Sequence, residues 1–374
     1  RSFSGTRTRG VRSFIASLQS SEWLDANRLH LARSLPLAIH IAELPDAFEL
    51  GALQSSGMSD EENNEEIMTE EALWERIPTV QGQERAETFY ELSARIFARG
   101  QYDEALALAE TARDIYSELG ASAPSEGLAQ AYSAIGYNLN QLKRMDEAAT
   151  AMSKAVAILR ENKSPIALEL ACTLGEWWFS SKNYEKVIET MHECAQEHIV
   201  DGNNIGAAND MYLIGTAQRE LKNYPEAIIC FEESRKMFKS EKEVIQVARC
   251  DQKIASCLNA QGMGEEALIR ARKSADVFET AHDHIRETFA LFEVGKAEIL
   301  LGRLEDGLSS LDNVLQIIAE EEPKDFEFIL DIETRMADVM RQLGRISDAD
   351  EVERRLATVR EILAEETSQE EDRP

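Results

Sequence analysis

Six histidines and five cysteines are the residues of this 374-residue chain best suited to metal binding or nucleophilic chemistry. The cysteines, Cys172, Cys194, Cys230, Cys250 and Cys257, are odd in number and include no CxxC pair. That argues against a disulfide framework and a zinc knuckle, and for reduced thiols in a cytoplasmic protein. Cys250 and Cys257 stand two helical turns apart, too far to bridge each other. His192-Glu-Cys-Ala-Gln-Glu-His198 has a superficial likeness to a zinc-protease helix. Its histidines, however, lie six residues apart, about 600° around a helix, and so face different sides. They read as surface histidines. His282-Asp-His284 would hold a metal only weakly in a connection, and His30 and His40 have no partner at a useful spacing. No Ser, Cys or carboxylate stands at a recurring catalytic distance from any histidine, and no GxxxxGK[ST] or GxGxxG segment offers a phosphate cradle. The expectation is a non-enzyme with no catalytic residue, no metal site and no cofactor.

The elements that would position such residues are helices. The chain is 43% apolar and 29% charged, holds only 8 Pro, and is dense in Ala, Leu, Glu, Arg and Lys. Its formal charge of -29 repels phosphate backbones and excludes general nucleic-acid binding. The most apolar stretch near the start, Leu35 to Leu53, is interrupted by His40, Glu43, Pro45, Asp46 and Glu49, so no membrane span is expected. Residues 1–57 hold six Arg against five acids, and the first methionine, Met58, opens a polar, acidic leader over 58–81. Three readings of 1–57 stand: an extension outside the native protein, a presequence carried by Arg1, Arg7, Arg9 and Arg12, or a helical cap from Glu22 through Leu35. The charged segment Glu365 to Pro374 is expected as a disordered acidic tail.

Between leader and tail the chain repeats. Gly100-Gln-Tyr-Asp-Glu-Ala105 is followed by Lys143-Arg-Met-Asp-Glu-Ala148, Lys182-Asn-Tyr-Glu-Lys-Val187 and Lys222-Asn-Tyr-Pro-Glu-Ala227. Looser copies end at Ala267, Gly307 and Ala349. These seven anchors are spaced 43, 39, 40, 40, 40 and 42 residues apart, the period of a solenoid. Twelve residues before each anchor stands a small residue: Ser93, Gly136, Gly175, Gly215, Ala255, Gly295 and Ala337. Thirteen before stands an aliphatic one: Leu92, Ile135, Leu174, Ile214, Ile254, Val294 and Met336. The aliphatic column predicts the core of a helical hairpin, and the small column a close approach of the neighbouring helix. An acid precedes six of the seven anchors, Lys186 being the exception, which marks the first turn of a second helix. Cys194 falls seven after an anchor, where a small buried residue is wanted, so core packing accounts for it.

The Leu-Gly pair, the Tyr-x-Glu-Ala turn and the small residue seven later resemble the tetratricopeptide repeat over residues 82–364. The resemblance implies an all-α, right-handed α-α superhelix of about seven hairpins. The common repeat is 34 residues long and ends in Pro; longer second helices would account for the period near 40 found here. In that respect the array is similar to bacterial peptide-sensing regulators with tetratricopeptide domains and to kinesin-light-chain-like adaptors.

In this family the first helix of each hairpin lines the concave face, so exposed groove positions are expected 18, 15, 14, 11 and 8 residues before each anchor. For the later repeats these collect Asn209, Tyr212, Thr216, Arg219, Arg249, Gln252, Lys253, Ser256, Asn259, Lys296, Arg335 and Arg341, against Glu293, Asp331 and Asp338. The basic excess within so acidic a chain suits a peptide backbone, acidic side chains or a free C-terminal carboxylate. The earlier repeats place Tyr90, Phe97, Tyr137, Asn140 and Phe179 there, open to a partner or covered by Trp74 and Ile77 of the leader. The resemblance therefore implies a cytoplasmic, non-catalytic scaffold for a protein or peptide, with no membrane contact. The alternatives are self-assembly through the repeat ends, giving a homo-oligomer, and a regulatory subunit of an enzyme or transcription complex.

Overall fold

The computed structural model describes residues 68–120, 124–320 and 326–371. The extension 1–57, with its presequence and cap readings, and most of the acidic leader lie outside them. Every regular element among the described residues is helical. They fall into two compact units that divide between Lys222 and Asn223.

The leader ends in helix α1 (Glu70–Arg76), whose Thr69 side chain caps the Ala72 amide, followed by a 3-10 turn over Ile77–Thr79. Leu73 and Ile77 join Phe89, Leu92 and Ile96 in one apolar cluster, with Tyr90 and Phe97 packed at its edge. The leader thus covers the first aromatic positions through Leu73 and Ile77, while Trp74 stays exposed. Helices α2 (Gly82–Ala98) and α3 (Tyr102–Leu119), α4 (Ser125–Gln141) and α5 (Met145–Glu161), and α6 (Ala167–Ser180) and α7 (Tyr184–Val200) form three hairpins, with α8 (Asn204–Glu220) packed on α7. The second unit holds α9 (Tyr224–Ser240), then the hairpins of α10 (Val244–Ala260) with α11 (Gly264–Ala281), α12 (His284–Leu300) with α13 (Leu304–Glu320), and α14 (Phe326–Gln342) with α15 (Ile346–Glu371). Helix α15 runs on to Glu371, through most of the segment expected as a disordered tail. No described helix is long and apolar enough to cross a membrane.

Each anchor is the fourth residue of its helix, one turn in, as the acids before it imply. The aliphatic column is buried throughout, from Leu92 and Ile214 at 0% exposure to Met336 at 8%. Its small neighbour meets the anchor of the same hairpin: Ser93 Oγ donates to the Ala105 carbonyl at 2.7 Å. A Cβ added to Gly136 would stand 3.3 Å from the Ala148 carbonyl oxygen and 3.0 Å from the Trp177 ring, and one on Gly295 would stand 2.9 Å from Leu311.

The period has a different origin from the one expected. Over α7 to α10 first and second helices alike are 17 residues long and alternate with three-residue turns, which makes 40. The added length is shared by both helices, not confined to the second. In each turn inside a repeat the middle residue has positive φ: Gly100, Lys143, Lys182, Lys222, Gly262, Gly302 and Gly344. The following amide reaches back five residues, as from Asn183 to the Trp178 carbonyl at 2.8 Å, the bond that closes a left-handed helix cap.

Lysine in that conformation carries a steric penalty that glycine does not. Lys143→Gly and Lys182→Gly are therefore expected to stabilise the fold by about 0.5–1 kcal/mol each, after the entropy glycine adds to the unfolded chain. Gly136→Val should destabilise it by about 1–3 kcal/mol through overpacking. Urea midpoints of the three variants check both signs.

Candidate functional site

Buried charge is unevenly distributed along this array. Among the described residues seven charged side chains are buried: Asp210, Arg249, Asp251, Lys253, Glu293, Glu298 and Glu333. All seven lie on the first helices α8, α10, α12 and α14, and the second helices bury only apolar and hydroxyl side chains. Burying an ion is costly unless partners surround it.

One group of these residues ties a first helix to second helices. Asp251, 1% exposed, accepts from Arg270 at 2.6 Å and Lys273 at 3.1 Å and forms an ion pair with Arg235 at 2.7 Å. Glu298 accepts from Arg272 and Ser310, both at 2.7 Å, and Glu333 from Arg355 at 3.1 Å. Burial outweighs Arg355 and raises the Glu333 carboxyl above the usual range. The Asp251 cluster borders a cavity of about 250 Å³ lined by Val244, Val247, Ala248 and Val277 under Arg235, Lys239, Lys242 and Lys273. It lies among α9, α10 and α11, and none of the positions expected to contact a partner lines it.

A second group joins first helices to one another. Asn259 Nδ2 donates to Glu293 Oε2 at 2.7 Å and to the Glu293 carbonyl at 2.9 Å, and Lys296 Nζ donates to Glu293 Oε1 at 3.0 Å. Two acceptors on Nδ2 fix the orientation of the Asn259 amide. Its Oδ1, also buried, has no hydrogen-bond partner among the described residues. Lys296 and Arg335, from successive first helices, both lie over the Phe292 ring, at 5.1 and 5.5 Å.

The exposure expected at several groove positions is corrected. Tyr212, Thr216, Arg249, Lys253, Asn259 and Glu293 are all 6% exposed or less. Helices α10 and α12 touch each other, and Asn259 bonds Glu293 across that contact, so these two positions face a helix and not open solvent. Arg249 donates to Gln246 at 2.6 Å. Gln252, Ser256 and Lys296 are half-buried. The basic excess is also largely neutralised in place: Arg335 pairs with Asp331 at 3.0 Å, and Arg341 with Glu353. In the other unit Asn209, Asn140 and Arg219 are half-buried, and Arg219 pairs with Glu220 at 2.7 Å. Tyr137 packs edge-on against Trp177 at 5.3 Å, and burial raises its phenol pKa. Phe179, expected in the groove, is 3% exposed and packs on Tyr184.

Histidine placement corrects a further expectation. His192 is exposed, but His198 is only 14% exposed and its Nδ1 lies 2.6 Å from Asp210 Oδ2. Asp210 Oδ1 receives the Cys172 thiol at 4.0 Å. One ligand atom each of Cys172, His198 and Asp210 lies within 4.8 Å of the others, the sole such His/Cys/acid group among the described residues. The Asp210 carboxyl is pushed up to about 6 by burial, against the pull of His198, and Glu176 up to about 7 by burial and by Asp210. Helical spacing of Cys172 with Glu176, and of Cys194 with His198, was the available signal, but neither pair names the helix that supplies Asp210. His284 instead pairs with Glu287 at 3.2 Å on its own helix.

No protein-family model matches the chain, and no curated protein does. Among solved structures, it aligns with the Signal Transduction ATPase with Numerous Domains protein bearing a tetratricopeptide repeat sensor from Pyrococcus horikoshii, at a TM-score of 0.57 and 14% identity. The match covers 80% of this chain and 45% of that one. The fold is a tetratricopeptide-type helical repeat. The apo form of RapI (TM-score 0.49, 16% identity, 75% of this chain and 99% of that one) and the apo quorum sensor NprR from B. thuringiensis (TM-score 0.46, 10% identity, 77% and 91%) are also similar.

Within this tetratricopeptide-type array the two polar groups should separate by stability. Asp251→Ala leaves three cations facing one another and is expected to cost about 3–5 kcal/mol. Lys296→Ala takes the cation from the buried Glu293, which keeps Asn259, and should cost about 1–3 kcal/mol, while Arg335→Ala, in a partly exposed pair, should stay within about 0.5 kcal/mol of the parent. Urea denaturation of the three variants measures the contrast.

Proposed function

We propose that this chain is a non-catalytic cytoplasmic scaffold whose first helices hold an extended peptide or a segment of a partner protein. The observation that carries this reading is the confinement of buried charge to the first helices. A core built only for stability would fill those positions with apolar groups, as the second helices do. The likeness of the fold to a repeat sensor is in keeping with it.

The contact surface proposed for the unit after Asn223 centres on Gln252, Asn259, Lys296 and Arg335, flanked by Arg249, Lys253 and Arg341. Gln252, half-buried on α10, carries both donor and acceptor and suits the backbone of an extended strand. Lys296 and Arg335, held over Phe292 and paired with Glu293 and Asp331, would share those pairs with an acidic side chain or a terminal carboxylate. Tyr137, Asn140, Asn209, Tyr212 and Arg219 are the corresponding proposed contacts in the other unit. Neither surface holds a nucleophile with a base beside it, so the role proposed is binding without turnover.

A phage library of random peptides with free C-termini, selected on the intact chain, tests this. Selected peptides are expected to bind with micromolar affinity, weaken in salt, and lose at least tenfold in affinity on the Lys296→Glu, Arg335→Glu double variant. Lys236→Glu, on an exposed second-helix position, should leave binding unchanged. Failure to enrich any peptide, or equal binding to both variants, would overturn the assignment.

A further inference from the structure

We infer that Cys172, His198 and Asp210 form a site for a thiophilic divalent transition metal, zinc being the natural occupant, which clamps the third helical hairpin to the first helix of the next repeat. The three residues come from three helices, α6, α7 and α8, within one compact unit. Their donor atoms lie within 4.8 Å of one another, whereas donors around tetrahedral zinc stand about 3–4 Å apart. Small side-chain movements close the set. The His198 and Asp210 atoms, now 2.6 Å apart and hydrogen-bonded, open by about 1 Å to admit the ion.

The donor chemistry selects the class of metal. A thiolate, an imidazole and a carboxylate together suit Zn(II) or Co(II), while magnesium and calcium require oxygen alone. Binding displaces the thiol proton of Cys172 to solvent. Glu176 stands one helical turn after Cys172 but outside the three-residue group, so the remaining coordination falls to water.

The surroundings resemble a prepared site more than a chance contact. The His198 ring lies against Gly206, where an added Cβ would stand 2.8 Å from its Cγ and Cδ2, so glycine is what lets the ring reach Asp210. Asp210 is 5% exposed, and its carboxylate is met by the His198 imidazole and the Cys172 thiol with no lysine or arginine bonded to it among the described residues. His198 remains 14% exposed, and Cys172 is half-buried, which leaves an entry path. None of these residues belongs to the partner surface proposed above.

The test is a titration of the reduced, metal-stripped full chain with Co(II), followed by absorbance. One equivalent is expected to produce the charge-transfer band of a thiolate–cobalt bond together with visible tetrahedral d–d bands, both bleached by Zn(II). Cys172→Ser should lose the charge-transfer band, and His198→Gln and Asp210→Asn should each weaken binding at least tenfold. Zn(II) should raise the thermal midpoint of the parent and not of Cys172→Ser, with circular dichroism confirming that the variants fold. If Cys172→Ser does not fold, His198→Gln carries the affinity test. Absence of saturable one-to-one uptake overturns the inference. So does a charge-transfer band that survives in Cys172→Ser, is lost in Cys194→Ser instead, or keeps its affinity in His198→Gln.

Discussion

The close approach of two helices at a single pair of positions sets the geometry of every repeat. A small residue on the first helix meets the anchor of the second twelve residues later, near enough for Ser93 to bond the Ala105 carbonyl and for a methyl group on Gly136 to crowd the Ala148 carbonyl at 3.3 Å. With the backbones this close, the aliphatic residue beside the small one is driven wholly inside, as Leu92 and Ile214 are. Repeated along the chain, this contact packs first helices against second helices, and α2 with α4 and α10 with α12 also touch each other. Little of a first helix's surface remains for solvent.

That crowding explains the chemistry of the interior. A second helix has an outer face on which to place its charges, and so buries almost none. A first helix has less free surface, so its charged residues must find partners within the fold. They do so in two ways. Asp251, Glu298 and Glu333 are met by arginines reaching in from second helices, while Asn259, Glu293 and Lys296 satisfy one another across first helices. The first arrangement is closed and structural. The second leaves Asn259 Oδ1 buried without a hydrogen-bond partner among the described residues and sets two cations over the Phe292 ring. Where first and second helices meet around Asp210, the crowding gathers an acid, an imidazole and a thiol with no basic residue bonded to the carboxylate beyond His198.

The backbone turns follow the same economy. A three-residue link between antiparallel helices requires one residue in the left-handed conformation, and four of the seven turns inside the repeats supply glycine there. The three that use Lys143, Lys182 and Lys222 accept strain where the period still demands a three-residue turn. Helix length and turn length together make the 40-residue repeat, and that is why spacing alone revealed it.

Periodic features were therefore legible before any coordinates. The anchors, the aliphatic and small columns, and the acids of the first turn each express a local rule repeated seven times, and local rules are written in spacing. The burial of Arg249, Lys253 and Asn259 was not legible, because a position on one face of a helix does not say how closely the next helix packs against it. Nor was the meeting of Cys172, His198 and Asp210. Each satisfies its own helix as a core or surface residue, and only the stacking of α6, α7 and α8 brings them together. What the amino-acid sequence determined by itself was the repeat and its hairpin core, since those depend on neighbours at fixed separations along the chain. What tertiary structure alone decided was which polar side chains face one another, since that depends on distances between helices that no repeat spacing encodes.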